Sequence, residues 1–104
     1  MQGIIIFITA TDKKEARKIA DSLLEKRLVA CCNLIKDIES CFWWQDKKQK
    51  AKECLIMVKT RKALLNKVIK QVTLTHSYDC PEIIAVPIAG GYKPYMDWIK
   101  KETS

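Results

Sequence analysis

Glycine and proline are scarce, with three of each in 104 residues. That excludes collagen-like, linker-like and low-complexity sequence. Histidine occurs once, at His76, so the chain holds no His-rich metal tract. No C-x-x-C, P-loop or G-x-G-x-x-G occurs, which removes the common redox, nucleotide and dinucleotide signatures. No apolar run approaches the ~20 residues that span a bilayer. The apolar start Ile4-Ile5-Ile6-Phe7-Ile8 is short and lacks a basic lead-in, unlike a secretory leader. Five cysteines, an odd number, stand at Cys31, Cys32, Cys41, Cys54 and Cys80. Without a leader they read as reduced thiols, and the expected location is cytoplasmic.

What is present fits one domain over residues 1–104. Apolar residues make up 48% of the chain, enough for a core without metal or disulfide staples. The formal net charge is +7. The lysines are spread over the helical segments and one loop, where Lys47, Lys48, Lys50 and Lys52 are densest. No Arg-rich or Gly-rich element accompanies them, so a solvated surface is expected, with neither nucleic acid nor membrane as partner.

Gly3 to Ala10 reads as a strand buried on both faces. Asp12 offers an N-cap with Glu15 three residues on, a capping-box pattern. Ala16, Ile19, Ala20, Leu23 and Leu24 then recur at helical spacing to about Arg27. Leu28 to Trp44 is rich in strand formers, with a bend or bulge expected near Lys36 and Asp37. Gln45 to Lys50 reads as a hairpin loop and Cys54 to Val58 as a third strand. Thr60 is placed to cap a second helix whose buried face is Leu64, Leu65, Val68, Ile69 and Val72. Ile83 to Ala89 is a fourth strand, which Pro87 marks as an edge or a bulge. Gly90-Gly91 precedes a short last helix around Tyr95, Met96, Trp98 and Ile99. The order is β-α-β-β-α-β plus a helix, the α+β ferredoxin-like sandwich, with the first and third strands central.

Helices in that architecture cover one sheet face, so strands apolar on both faces need another cover. Phe42, Trp43 and Trp44 add aromatic surface near a hairpin end. Such a surplus predicts an interface and a homo-oligomer.

Fold alone does not choose a function. A metallochaperone would carry a Cys pair after strand one, where this chain has Thr9-Ala10-Thr11-Asp12. An acylphosphatase would need an arginine there. An RNA-recognition domain would show aromatics on strand three, and Cys54-Leu55-Ile56-Met57-Val58 has none. One histidine does not assemble a nucleophile with its base, so no enzyme is expected. The candidate site is the turn His76-Ser77-Tyr78-Asp79-Cys80-Pro81-Glu82. Its imidazole is either a metal ligand or a helix C-terminal residue bonding a free carbonyl.

Arg27-Leu28-Val29-Ala30-Cys31-Cys32-Asn33, Ser40-Cys41-Phe42-Trp43-Trp44, Lys59-Thr60 and His76-Ser77-Tyr78 with Pro81-Glu82-Ile83 together resemble the CutA divalent-cation tolerance family. Pro87-Ile88 and Tyr95 with Trp98-Ile99 extend the likeness over nearly the whole chain. The resemblance implies a ferredoxin-like subunit in a homotrimer whose strand-two and strand-three arms pair between subunits. It also implies divalent metal binding, copper foremost, with Cu(II) or another divalent ion as cofactor. His76 is then the expected metal ligand, with Tyr78 and Glu82 nearby. Glu82 and Lys59 from adjoining subunits would form a polar cleft, and a trimeric small-ligand sensor using such clefts is the rival reading. Three positions depart from the family's pattern: Ser77 stands for its Pro, Ile8 for a strand-one Cys of some members, and Asp46 for its usual Gly.

Overall fold

Alternating apolar positions on the two middle strands build the molecule. In the computed structural model, which describes Met1–Ser104, β1 (Gly3–Ala10) pairs antiparallel with β3 (Lys47–Arg61), Ile6 standing opposite Val58. Ile4, Ile6 and Ile8 of β1 and Cys54, Ile56 and Val58 of β3 are buried together. Over them lie α1 (Lys13–Glu25), through Ala16, Ile19 and Leu23, and α2 (Leu65–Thr75), through Val68 and Val72. β2 (Cys31–Trp44) and β4 (Ile83–Pro87) flank the pair, giving the antiparallel order β2-β3-β1-β4. The first and third strands are thus central, and Pro87 closes an edge strand, as the sequence implies.

The expected Asp12 cap forms, with the reciprocal bond of the box displaced by one residue to Thr11. The Asp12 carboxylate accepts from the Glu15 N–H at 2.8 Å, and the Glu15 side chain accepts from the Thr11 N–H at 3.0 Å. The helix ends slightly before Arg27, whose positive φ of 56° turns the chain back. Thr60 does not cap α2. It is the last buried residue of the β3 face, and its hydroxyl donates to the Leu28 carbonyl at 2.7 Å. A single 3-10 turn, Lys62–Leu64, leads into α2 with no side-chain cap.

The expected loop from Gln45 to Lys50 is also corrected. Only Gln45 and Asp46 turn, both with positive φ (51° and 64°), and β3 begins at Lys47. Two left-handed residues make the tight turn whose twist matches that of the flanking strands. The hairpin therefore continues as a long two-stranded arm, in a molecule 44 Å along its longest axis.

A bulge lies at the base of this arm. Ile35 pairs with Leu55 and Ile38 with Glu53, so Lys36 and Asp37 together oppose Cys54. Asp37 takes a positive φ of 61° there. The extra residue reverses the inside–outside alternation of β2 beyond that point.

The second sheet face carries Ile5, Phe7, Leu55, Met57, Ile35, Ile84 and Val86. Ile84 is 55% exposed. The last helix, α3 (Lys93–Glu102), covers one end of this face only. Met96 sits so close over Gly3 that a Cβ there would lie 2.7 Å from the Met96 terminal methyl carbon. The Arg61 guanidinium fastens the far end of α3, donating to the Thr103 carbonyl at 2.7 Å. No helix of the protein is long and apolar enough to cross a membrane.

Aspartate tolerates the left-handed region at Asp46, and glycine does so at no steric cost. Asp46→Gly should raise stability by about 0.5–1 kcal/mol, read as a higher midpoint in urea unfolding.

Candidate functional site

The turn from α2 to β4 is held by an interlocked set of hydrogen bonds at the C-terminal end of β1. The His76 side chain is fully enclosed. Its Nε2 lies 2.7 Å from the Thr9 carbonyl oxygen, and its Nδ1 accepts the Tyr78 N–H at 3.0 Å. A carbonyl accepts only, so Nε2 carries the proton, and the ring is the neutral Nε2–H tautomer. The expected ligand therefore has neither lone pair free: one nitrogen donates and the other already accepts. The imidazole ties β1 to the turn, close to the alternative of a helix-end residue bonding a free carbonyl.

Two carboxylates flank the ring. Glu15 lies with Oε1 at 4.0 Å from Nδ1 and accepts the Ser77 N–H through Oε2 at 3.0 Å. Partial burial on its own would raise this carboxyl. The bonds from Ser77 and Thr11 outweigh that and hold it below the usual carboxylate range. Glu53 is 8% exposed at the start of the buried part of β3, and it accepts the Tyr78 hydroxyl at 2.8 Å. Burial, then the Glu53 carboxylate, pushes the Tyr78 phenol up to about 12. The phenol thus stays protonated and acts as a donor. The rings of His76 and Tyr78 lie 4.7 Å apart between centroids, tilted by 47°.

The sequence singles out His76 and Tyr78, and the structure brings them together. Glu15 and Glu53, which complete the network, were missed as partners. Glu15 had a visible role as a capping residue, and nothing in sequence marks its second oxygen as free for Ser77. Glu82 is exposed on the same turn, without a hydrogen bond or ion pair in the protomer. Lys59 stands elsewhere. It is six residues along β3 from Glu53, roughly 20 Å at strand rise, beside Cys31 on β2. Its ammonium bonds the Asn33 side-chain oxygen. Tyr95 of α3 adjoins Cys31, and burial raises its phenol. Within one chain, then, Lys59 and Glu82 form no shared cleft.

The thiols do not converge. Burial, with Cys31 adjacent, pushes Cys32 up to about 12, and burial raises Cys54 as well. Neutral thiols are poor metal ligands. No three His, Cys, Asp or Glu side chains gather to hold an ion within the protomer.

The aromatic trio divides. Phe42 pairs with Gln49 and Trp44 with Lys47, on the strand face that also carries Glu53 and Leu55. Trp43 pairs with Lys48 and lies on the opposite face, the side of the helices. The three adjacent residues therefore do not share one surface.

Residues 4–102 match the model of the family described as CutA1 divalent ion tolerance protein. The chain belongs to this family. It is 39% identical over 101 residues, 97% of its own length, to a rice protein (Oryza sativa subsp. japonica) described as Protein CutA 1, chloroplastic. It is 38% identical over 101 residues to Protein CutA, chloroplastic, of Arabidopsis thaliana. The chain spans 57% and 56% of the length of these two relatives. A solved structure from Archaeoglobus fulgidus, described as a periplasmic divalent cation tolerance protein CutA, superposes with a TM-score of 0.95. That match has 42% identity and covers 98% of this chain and 99% of that one. These relatives correct one expectation. A cytoplasmic location rested on the missing leader and the unpaired cysteines, and CutA proteins described as chloroplastic and periplasmic take that support away.

Two changes probe the turn. His76→Ala removes an enclosed ring and strands the Thr9 carbonyl and Tyr78 N–H, so it should cost about 2–4 kcal/mol in urea unfolding. The Glu15 carboxyl is depressed in the folded state, so its contribution is present above about pH 4.5 and fades as pH falls below it. Glu15→Gln should flatten that acid limb when stability is measured against pH.

Proposed function

We propose that this protein serves divalent-cation tolerance as a trimer of ferredoxin-like subunits, binding the cation at sites that two chains complete together. The observation that carries this reading is the pairing of an uncovered apolar sheet face with donors left unsatisfied at its border. Ile84, Val86, Ile35, Phe42 and Trp44 are all at least 40% exposed on one side of the sheet and its arm. That much contiguous apolar surface is characteristic of an interface. Asp79, Cys80 and Glu82 lie exposed beside the free edge of β4, at the rim of the same face. A divalent ion needs three or more donors, and one protomer groups none, so a second chain supplies the remainder.

In this reading His76 is a positioning residue. It locks the turn so that Glu82 and its neighbours are presented at a fixed place. To ligate directly, the imidazole would give up either the Thr9 or the Tyr78 bond. Copper stands first among the candidate ions by the general order of divalent affinities.

A second reading has its own support. Lys59 is half-buried on an otherwise apolar face and bonds only a neutral amide. A cation so placed suits a small anionic ligand in a cleft between subunits, with Tyr95 and Asn33 beside it.

Light scattering of the purified protein should give three times the 12.0 kDa chain mass. Calorimetric titration of that oligomer with Cu(II), and with Zn(II), which does not oxidise thiols, should give saturable binding that Glu82→Gln weakens. Undiminished binding in Glu82→Gln would remove this turn as the site. Binding of small carboxylates or phosphates that is lost in Lys59→Gln would favour the cleft reading instead.

A further inference from the structure

The lysines that look like a loop in sequence stand on a strand, and this changes what they can do. Lys48, Lys50 and Lys52 alternate along β3 and continue the face that carries Cys54, Ile56 and Val58 beneath the helices. Side chains two apart on a strand stand about 6.8 Å from each other, so the three ammonium groups form a ladder. Across the hairpin, on the same face, are Trp43 opposite Lys48, Cys41 opposite Lys50, and Glu39 opposite Lys52. Glu39 turns its carboxylate toward Cys41, 4.0 Å from the thiol sulfur, and neither Lys48 nor Lys50 makes an ion pair within the protomer. Trp43 is 70% exposed, so its indole face is open. Cys41, Trp43, Lys48 and Lys50, with Phe42 and Gln49 of the other face at its edge, line a surface concavity of about 430 Å³ that contains no carboxylate.

This face is separate from the apolar side proposed as the trimer interface. Phe42 and Trp44, paired with Gln49 and Lys47, lie on that side, and Trp43, paired with Lys48, lies on this one. Burying Phe42 and Trp44 in an assembly therefore does not by itself cover the ladder.

We propose that this face of the arm docks single-stranded nucleic acid, one base stacking on Trp43 and the flanking phosphates resting on Lys48 and Lys50. An open indole next to regularly spaced cations is what a single strand requires, since every base offers a π-face and every linkage an anion. The net charge of +7 adds a general attraction for a polyanion. A lipid surface fits less well. The end of the arm that would meet a bilayer first is Gln45-Asp46, polar and acidic, and the indole lies along the strand. An acidic peptide would use the lysines and leave the indole idle.

Fluorescence anisotropy of a labelled dT12 oligonucleotide with the purified protein decides the matter. Salt-sensitive binding is expected, weakened roughly ten-fold by Trp43→Ala. The Lys48→Gln/Lys50→Gln pair should also weaken it and lower the slope of log affinity against log salt by about 1.4. Lys67→Gln/Lys70→Gln, on exposed positions of α2, should leave affinity within two-fold. Circular dichroism and light scattering of each variant separate misfolding from lost contact, and Trp43→Phe, which keeps an aromatic face, should retain most of the affinity. No binding of dT12 overturns the proposal. So does an equal loss in the α2 pair, which would mean diffuse charge alone, or Trp43→Ala binding as well as the parent. Heparin, which has no bases, bound as tightly as dT12 and with no Trp43 dependence would point to an acidic partner and also overturn it. Trp43-dependent binding to phosphatidylserine vesicles, with none to dT12, would assign the face to a membrane.

Discussion

The pairing of β1 with β3 is the constraint on which the rest of the molecule depends. Both strands are apolar on alternate residues of each face, so the sheet they make has two surfaces to hide. The helices α1 and α2 hide one, through Ile19, Leu23, Val68 and Val72 against Ile6, Ile8, Ile56 and Val58. Each such side chain contributes roughly 1.5–3 kcal/mol on burial. The other surface has only α3, fastened at one end by Arg61 and Thr103. Ile84 and Val86 therefore stay largely exposed in the protomer. The proposed assembly and the proposed place of the cation donors both rest on that one uncovered face.

The His76 turn depends on the same strands in a different way. Thr9 is the penultimate residue of β1, and its carbonyl is available because the last rung of the sheet leaves it free for the imidazole. Glu53 sits where β3 enters the body, and the Tyr78 hydroxyl reaches it there. Glu15, recruited by the α1 cap, lends its second oxygen to Ser77. Helix capping and turn positioning are therefore one electrostatic unit. Removing any member leaves an enclosed polar group unpaired, which costs more than the bond itself was worth. A fully bonded ring is a good anchor and a poor ligand.

Much of this was legible in the sequence. Continuous apolar runs gave β1 and the middle of β3, helical spacing gave α1 and α2, Asp12 with Glu15 announced the cap, and Pro87 marked the edge. The arm was not legible, for a physical reason. Lys47 to Lys52 is polar on both faces because neither face of a projecting hairpin meets the core, so no alternation survives to be read. Its turn lacks the Asn-Gly or Asp-Gly pair that signals left-handed residues, since Gln45 and Asp46 adopt that conformation without glycine. Thr60 looked like a cap because a hydroxyl before a helical pattern usually is one, and a tertiary acceptor at Leu28 claimed it instead. The state of the His76 ring lay beyond sequence altogether, because its acceptor is a backbone carbonyl 67 residues away.

The single extra residue at Lys36 and Asp37 is slack taken up at the base of the arm. β3 alternates without a break from Lys47 to Arg61, so each β2 residue beyond the bulge takes the face of its β3 partner, Trp43 with Lys48 and Phe42 with Gln49. Removing one residue of the bulge would leave those pairs as they are, because the residue that remains would stand alone opposite Cys54. A one-residue deletion nearer the turn would be absorbed at the same place, by using up the bulge. The arm thus carries its own tolerance to a small change in length, and what each of its surfaces offers is set by β3 and by the two-residue turn.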